Sequence, residues 1–190
     1  KPIVNRAYRN ISVNQGKNPE NTLTIMIPVY NEDFSIIEKT ILNSVEEVLN
    51  YGPKANLIVL DDGLLYFSNN DIENFLDKAR RTEPKKISRE EEEVLRRISL
   101  YEQLSKRRDM RFSVVSRPRP IPGVKETERR GTFKKASNLN YAFRLFFDRI
   151  IPFAKKQNLD YAEAQKRIIE MESYYQLAYI RGDVFVGEVV

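Results

Sequence analysis

The chain has 190 residues, of which 41% are hydrophobic and 31% charged, a size and composition suited to one folded domain with a sizeable core. It contains neither cysteine nor histidine, which excludes thiol nucleophiles, disulfide frameworks, histidine proton shuttles and zinc sites built on those ligands. Any chemistry therefore depends on carboxylate, amine, hydroxyl and backbone groups.

The net charge of +5 comes from 32 basic and 27 acidic residues. Between Arg117 and Lys135, seven basic residues stand against two acidic ones, so this segment alone carries a net charge of +5 and the rest of the chain balances. Such a local excess favours an anionic ligand. We expect no nucleic acid partner, because Phe133 is the only aromatic side chain in the segment that could stack on a base.

The first predicted element is a buried strand. Residues 1–21 are polar and without periodicity, which predicts an N-terminal arm before a single domain over 22–190. Leu23 to Ile27 is a short apolar run that we expect to end at Pro28, because proline cannot donate a ladder hydrogen bond.

This strand and the two elements after it span about 40 residues and predict a βαβ unit. Apolar residues at helical spacing run from Ile37 to Leu49, after a cap at Asp33 or Ser35, and Asn56 to Leu60 is a second β-branched run. Such units form parallel sheets, whose ligands bind beyond the carboxyl ends of the strands. Four polar residues are thereby predicted to share one rim: Tyr30, Glu32, Asp61 and Asp62.

The remaining elements are predicted from periodicity and capping signals. Helices are expected over 71–81, 88–108, 136–149 and 161–177, the second opening with a Ser88–Glu91 capping box, and strands over 111–116 and 183–190. The apolar stretch over 145–154 is too short and too charged to cross a bilayer.

Two polar segments at the rim admit both a functional and a structural interpretation. The Tyr30–Glu32 loop offers an aromatic face and a carboxylate to a base and ribose, yet it is also an ordinary loop that ends a strand and caps a helix. Asp61 and Asp62 can bind ribose hydroxyls, a base or a cation, or form a common Asp-Asp-Gly turn. Since side chains alternate along a strand, we expect only one of the two to face a ligand.

The sequence RRGTFKKASNLN, residues 129–140, places lysines at a predicted helix start. A helix amino end beside lysine is suited to a diphosphate. The alternative is a mobile basic loop paired with acidic helices. The segment has no Walker-type glycine and lysine pattern that would exclude this alternative.

Together these motifs resemble a known enzyme family. IPVYNE at residues 27–32, VLDDG at 59–63, an Arg-Pro dipeptide at 117–118 and KKASNLN at 134–140 follow the order found in family-2 glycosyltransferases. The chain is most similar to the nucleotide-sugar half of membrane synthases of the cellulose, chitin and hyaluronan type, particularly the fungal ones.

The resemblance implies an α/β GT-A fold, a Rossmann-like, mostly parallel sheet with flanking helices that binds a UDP-sugar donor and transfers the sugar with inversion. By the same resemblance, Tyr30 and Glu32 contact the nucleoside, Pro28 shapes their loop, and Asp61 or Asp62 binds the uracil or ribose. Lys135 then neutralises the diphosphate, and Asn138 shapes the same turn.

The rest of the family's machinery is not found in this sequence. Its DXD motif, which holds Mg²⁺ or Mn²⁺, would follow a strand like the one predicted to end at Val190, and its catalytic base, glycan-acceptor motif and membrane helices would come later still. We therefore expect a soluble, inactive fragment of a polysaccharide synthase, truncated before the metal-binding strand end. The resemblance places the full-length enzyme at a membrane, with a cytoplasmic catalytic domain. It also implies that the charged helical stretches around 71–108 and 155–180, which are longer than the minimal family pattern, are insertions.

Two other functions stay open at the level of sequence. One is a non-catalytic module that binds a nucleotide or a polyanion. The other is a nucleotidyltransferase, which is disfavoured because no glycine-rich loop follows the first strand.

Overall fold

The computed structural model describes residues 22–64, 69–81, 87–118, 120, 122–123 and 134–184, which form an α/β structure with a four-stranded sheet. The strands are β1 (Leu23–Val29), β2 (Ala55–Asp61), β3 (Arg111–Ser116) and β4 (Tyr179–Arg181). The helices are α1 (Phe34–Tyr51), α2 (Asn69–Arg81), α3 (Arg89–Ser105), α4 (Lys134–Phe143), α5 (Ile151–Gln157), α6 (Tyr161–Met171) and α7 (Ser173–Gln176).

The sheet has the strand order β1-β2-β3-β4 and is mostly parallel. β1 and β2 run parallel with Val29 opposite Asp61, and β2 and β3 run parallel with Leu60 opposite Val115. β4 runs antiparallel to β3. The carboxyl ends of three strands therefore lie at one edge of the sheet, as in Rossmann-like folds.

Helices cover both faces of this sheet, each over its own hydrophobic cluster. Along β2, Leu57 and Val59 pack towards α1, α2 and α3, whereas Ile58 and Leu60 pack towards α4, α5 and α6. This division follows the two-residue period of a strand. Both faces of β2 are buried, which explains its uninterrupted apolar sequence.

The first three predicted strands are found, the first two of them longer than predicted, and a fourth strand, β4, was not predicted. The prediction that β1 ends at Pro28 was wrong: the strand continues through Pro28, opposite Leu60, to Val29. Proline is tolerated here because, within the described part of the chain, β1 is an edge strand that pairs only with β2. β4 was not predicted, since three residues are too short for a periodic signal.

The first and third helices begin and end close to their predicted positions. α1 buries Ile37, Ile41 and Val45, but the Asp33 side chain makes no capping hydrogen bond. α3 opens with the predicted capping box, in which Ser88 Oγ accepts the Glu91 N–H at 3.2 Å and the Glu91 carboxylate accepts the Ser88 N–H at 2.9 Å.

The helix predicted over 136–149 is longer than expected and changes its winding. Residues 144–150 form a π-helical stretch between α4 and α5, in which the Ile151 N–H donates to the carbonyl of Phe146, five residues back. Pro152 follows at once and cannot donate to a carbonyl in the preceding turn. The π-helical winding before Pro152 allows the helix to continue through this proline into α5.

The last predicted helix is divided, since α6 and α7 are separated at Glu172. Asp183 and Val184 lie outside any strand, and the rest of the strand predicted over 183–190 falls outside the described residues. So do the predicted arm over 1–21 and most of the basic segment before α4. Within the described ranges, no helix combines the length and hydropathy that a membrane span requires.

Candidate functional site

The predicted site residues meet at the carboxyl edge of the parallel strands. Loop residues Tyr30 and Glu32 follow β1. Asp61 ends β2 and Asp62 follows it, and Lys135 and Asn138 lie in α4. Pro28 is half-buried within β1 itself, two residues before the loop. The structure thus brings together at one edge residues that the sequence separates by more than a hundred positions.

The Glu32 carboxylate connects the loop after β1 to α4. Its Oε2 accepts the backbone N–H of Tyr30 at 2.8 Å, and its Oε1 accepts Lys135 Nζ at 3.1 Å. Partial burial acts to raise the pKa of Glu32, but hydrogen bonds from the backbone N–H groups of Tyr30 and Glu32 and from Lys135 outweigh it and lower the pKa. Glu32 is therefore a carboxylate at neutral pH.

Asp61 is fully buried and connects β2 to α3. Its Oδ2 accepts the Tyr101 hydroxyl at 2.7 Å, and its Oδ1 accepts the Gly63 N–H at 2.7 Å. Burial raises the pKa of Asp61, although Arg97, Tyr101 and Gly63 act in the opposite direction. Both oxygens are thus engaged inside the protein, and Asp61 does not face the cleft described below.

Asp62 forms a buried two-bond ion pair with Arg117, which follows β3. Arg117 Nε donates to Asp62 Oδ1 at 2.9 Å, and Arg117 Nη2 donates to Asp62 Oδ2. The remaining guanidinium nitrogen, Nη1, donates to Ser137 Oγ in α4 at 2.7 Å. One arginine therefore joins β2, β3 and α4 at the edge where the site lies.

Asn138 connects α4 directly to the strand beside it. Its Nδ2 donates to the carbonyl of Leu60 at 2.8 Å, and its side chain is buried. Among the described residues, its Oδ1 has no hydrogen-bond partner. The contact holds the first turns of α4 against the end of β2.

Arg97 is a residue of this edge that the sequence prediction missed. Its Nη2 donates to the Glu32 carbonyl at 2.9 Å, and its Nη1 lies 3.4 Å from the Tyr30 carbonyl and 3.5 Å from Asp61 Oδ1. A signal for it did exist in the sequence. Arg97 stands on the apolar stripe of α3, between Val94 and Tyr101, where a charged residue needs a buried partner.

A cleft of about 690 Å³ opens between the loop after β1, the end of β2 and the amino end of α3. This volume lies in the range typical of small-molecule sites. Its lining is Tyr30, Asn31, Asp33, Asp62, Gly63, Ser88, Arg89, Glu90, Glu91, Glu93, Val94 and Arg97. Tyr30 and Asp62 thus face the cleft, whereas Lys135 and Asn138 lie outside its described lining, on the α4 side.

The carboxylates of this edge do not fit a divalent cation. The described residues contain no group of three or more acidic side chains arranged to hold a metal. Asp61 is paired with the guanidinium group of Arg97 and Asp62 with that of Arg117, and these positive charges repel a cation. Among the described residues, this edge therefore offers no ligand set for the Mg²⁺ or Mn²⁺ that the family resemblance implies.

Comparisons of the chain with protein families, curated proteins and solved structures find no match. Its function is therefore inferred from its own residues and their arrangement.

Proposed function

We propose that this chain is the nucleotide-sugar-binding part of an inverting glycosyltransferase of the GT-A fold, that its donor is a UDP-sugar, and that the whole enzyme extends a glycan acceptor. In this proposal Tyr30 and Glu32 contact the nucleoside, Asp62 lies beside the uracil or ribose, and Lys135 neutralises the diphosphate. Asn138 and Pro28 hold the backbone around them.

The contact between Glu32 and Lys135 carries this proposal. It joins the loop after β1 to the first turn of α4, two segments that the motif order assigned separately to nucleoside and diphosphate. A site for a nucleoside diphosphate needs hydrogen-bond acceptors for the ribose and a cation for the phosphates, and both must lie close enough to contact the same ligand molecule. Here the acceptor Glu32 Oε1 and the cation Lys135 Nζ lie 3.1 Å apart.

The surroundings of this pair suit an exchange of partners. The Lys135 side chain is 62% exposed, and an exposed ion pair contributes little stability, so a diphosphate can replace Glu32 as the lysine's partner at small cost. Lys135 also lies in the first turn of α4, where the helix dipole favours an anion. The nucleoside then lies towards Tyr30 and the cleft.

The test is a calorimetric titration of the 190-residue chain with UDP and, separately, with ADP. We expect UDP to bind more tightly than ADP, and Lys135→Ala to weaken UDP binding by about tenfold, the loss of one charge-assisted contact. Lys155→Ala in α5, which removes an exposed lysine elsewhere, is the matched control and should bind UDP like the wild type. Equal or absent binding of the two nucleotides would remove the uridine assignment.

We propose further that the isolated chain binds its donor without transferring the sugar. Asp61 and Asp62 are each engaged by an arginine, which leaves neither of them as a free base for an acceptor hydroxyl. Incubation with UDP-sugars, Mn²⁺ and an oligosaccharide acceptor should yield no transfer product. A measurable turnover would contradict this part of the proposal.

The same buried arginine pairs also favour a second candidate, a module that binds a nucleotide or polyanion without any chemistry. The two candidates differ in the DNA that follows the codon for Val190. Continuation into a DXD motif and apolar helices supports the synthase, whereas a stop codon supports the module. Competition between heparin and UDP for the chain is the corresponding binding experiment.

A further inference from the structure

We propose that Arg97, from the charged helix α3, is a positioning residue that holds the loop after β1 in its ligand-binding shape. The inference deepens the proposed function and rests on it only for the identity of the ligand. It assigns α3 to the architecture of the site, although the family resemblance implies that this helix is part of an insertion.

The contacts of Arg97 converge on the loop from one side. Nη2 donates to the Glu32 carbonyl at 2.9 Å, and Nη1 lies within 3.5 Å of both the Tyr30 carbonyl and Asp61 Oδ1. The side chain is 5% exposed, so these groups have little access to water as an alternative partner. One guanidinium therefore holds the main chain of β1's loop against the end of β2.

The guanidinium fills the space between the two loops closely. A Cβ added at Gly63 would collide with Arg97 Nη1 and with the Tyr30 carbonyl, and would lie 2.9 Å from Asp61 Oδ1. The loop thus has no room to shift towards β2 while Arg97 is in place. The arginine therefore sets the position of the loop together with the loop's own hydrogen bond from the Tyr30 N–H to the Glu32 carboxylate.

α3 in turn holds Arg97 rigidly. One turn further along the helix, Tyr101 is fully buried and its hydroxyl donates to Asp61 Oδ2 at 2.7 Å. Ile98 and Leu104 pack in the core on the same face of the sheet, and the capping box fixes the start of the helix. The helix therefore presents the guanidinium to the loop in a fixed direction.

The position of this loop also determines where the groups that would contact the proposed ligand lie. With the Glu32 carbonyl held by Arg97, the Glu32 carboxylate accepts the Tyr30 N–H and reaches Lys135. A loop that is already ordered in the free protein does not lose conformational entropy by becoming ordered when the ligand binds. Arg97 thereby increases nucleotide affinity without touching the nucleotide.

The test compares three variants of the whole chain. Arg97→Met keeps the length and removes the hydrogen bonds, and Arg97→Lys keeps the charge but lacks the planar donor group that reaches two carbonyls. Arg96→Met is the matched control, because Arg96 is the neighbouring, exposed arginine that pairs with Glu92 within α3. Two quantities are measured: amide hydrogen exchange at Tyr30 relative to Ile58 in the core, and the Kd for UDP.

We expect Arg97→Met to accelerate exchange at Tyr30 selectively and to weaken UDP binding by about tenfold. Arg97→Lys should give intermediate values, and Arg96→Met should match the wild type. A purely structural role would raise exchange at Tyr30 and Ile58 together and leave the Kd unchanged in the folded protein, which overturns the inference.

The two proposals fail in different ways. Absence of UDP binding by the wild type removes the proposed ligand, while selective exchange at Tyr30 in Arg97→Met still supports the positioning role. Where Arg97→Met does not fold, Arg97→Lys decides the question. Wild-type exchange and affinity in that variant contradict the role of the planar guanidinium.

Discussion

Arg117 and Asp62 form a two-bond ion pair in which both side chains are buried, 6% and 2% exposed. Arg117 follows β3 and Asp62 follows β2, so the pair joins the ends of two neighbouring parallel strands. Through Ser137, the same arginine also holds α4. The edge of the sheet at which we place the ligand is therefore held together mainly by charged groups.

Removal of one partner of this pair should destabilise the fold strongly. Arg117→Met leaves the Asp62 carboxylate buried without its cation, which costs about 3–5 kcal/mol. Urea unfolding of the two proteins measures the difference. The control is Arg167→Met, which breaks an exposed pair between Arg167 and Glu163 on α6 and should cost less than about 1 kcal/mol. Equal losses in the two variants would show that the buried pair has no special role.

Gly63→Ala and Gly52→Ala should both destabilise the chain, but only Gly63→Ala should weaken UDP binding. At Gly63 the added methyl group meets the Tyr30 carbonyl and Arg97, so the loop has to move, and overpacking of this kind costs about 1–3 kcal/mol or more. At Gly52 the methyl group meets open space, and a cost of about 1–3 kcal/mol comes from the backbone conformation, φ 99° and ψ −160°, which essentially only glycine adopts. Thermal unfolding compares the two. Gly63→Ala should also weaken UDP binding, and a variant with normal stability and affinity would contradict the packing described for this loop.

The stability of the chain should depend on the ionisation of Glu32. Because the folded-state pKa of Glu32 is lowered from 4.5, its carboxylate stabilises the fold above that ordinary value, and this contribution disappears as the pH falls through the folded-state pKa. Glu32→Gln removes the titration but keeps an oxygen that can accept the Tyr30 N–H.

The measurement is the free energy of unfolding of the wild type and of Glu32→Gln between pH 7 and pH 3. We expect the difference between the two proteins to be constant near neutral pH and to shift against the wild type below about pH 4.5. A difference that is independent of pH would show that the hydrogen bonds from Tyr30 and Lys135 do not favour the ionised form.

Asn138→Ala should cost about 1–3 kcal/mol, because it leaves the buried carbonyl of Leu60 without its donor. Asn140→Ala is the matched control, since Asn140 lies on the same helix with an exposed side chain and should change stability by less than about 0.5 kcal/mol. Chemical denaturation distinguishes the two. Equal stabilities would contradict the assignment of Asn138 to the attachment of α4.

Most of the local structure could be predicted from the sequence because it follows from local signals. The apolar run of β2, the Ser88–Glu91 capping box and the amphipathic spacing in α1 each report on a segment's own conformation. The failures have different causes. Pro28 suggested an end to β1 because a sequence does not show that, among the described residues, the strand lies at a sheet edge. The helix continues through Pro152 after a π-helical stretch, whereas ordinary helix rules treat an interior proline as a stop.

By itself, the sequence determined which residues could take part in polar chemistry and at which strand ends they would stand. Only the tertiary structure decided their partners: it buried Asp61 against Tyr101, joined Asp62 to Arg117 and brought Glu32 within 3.1 Å of Lys135. Which charged and polar groups pair depends on distances across the sheet and on the exclusion of water. The spacing of residues along the chain determines neither of these. Arg97 shows this most clearly, because its place on an apolar stripe predicts a buried partner but does not say which one.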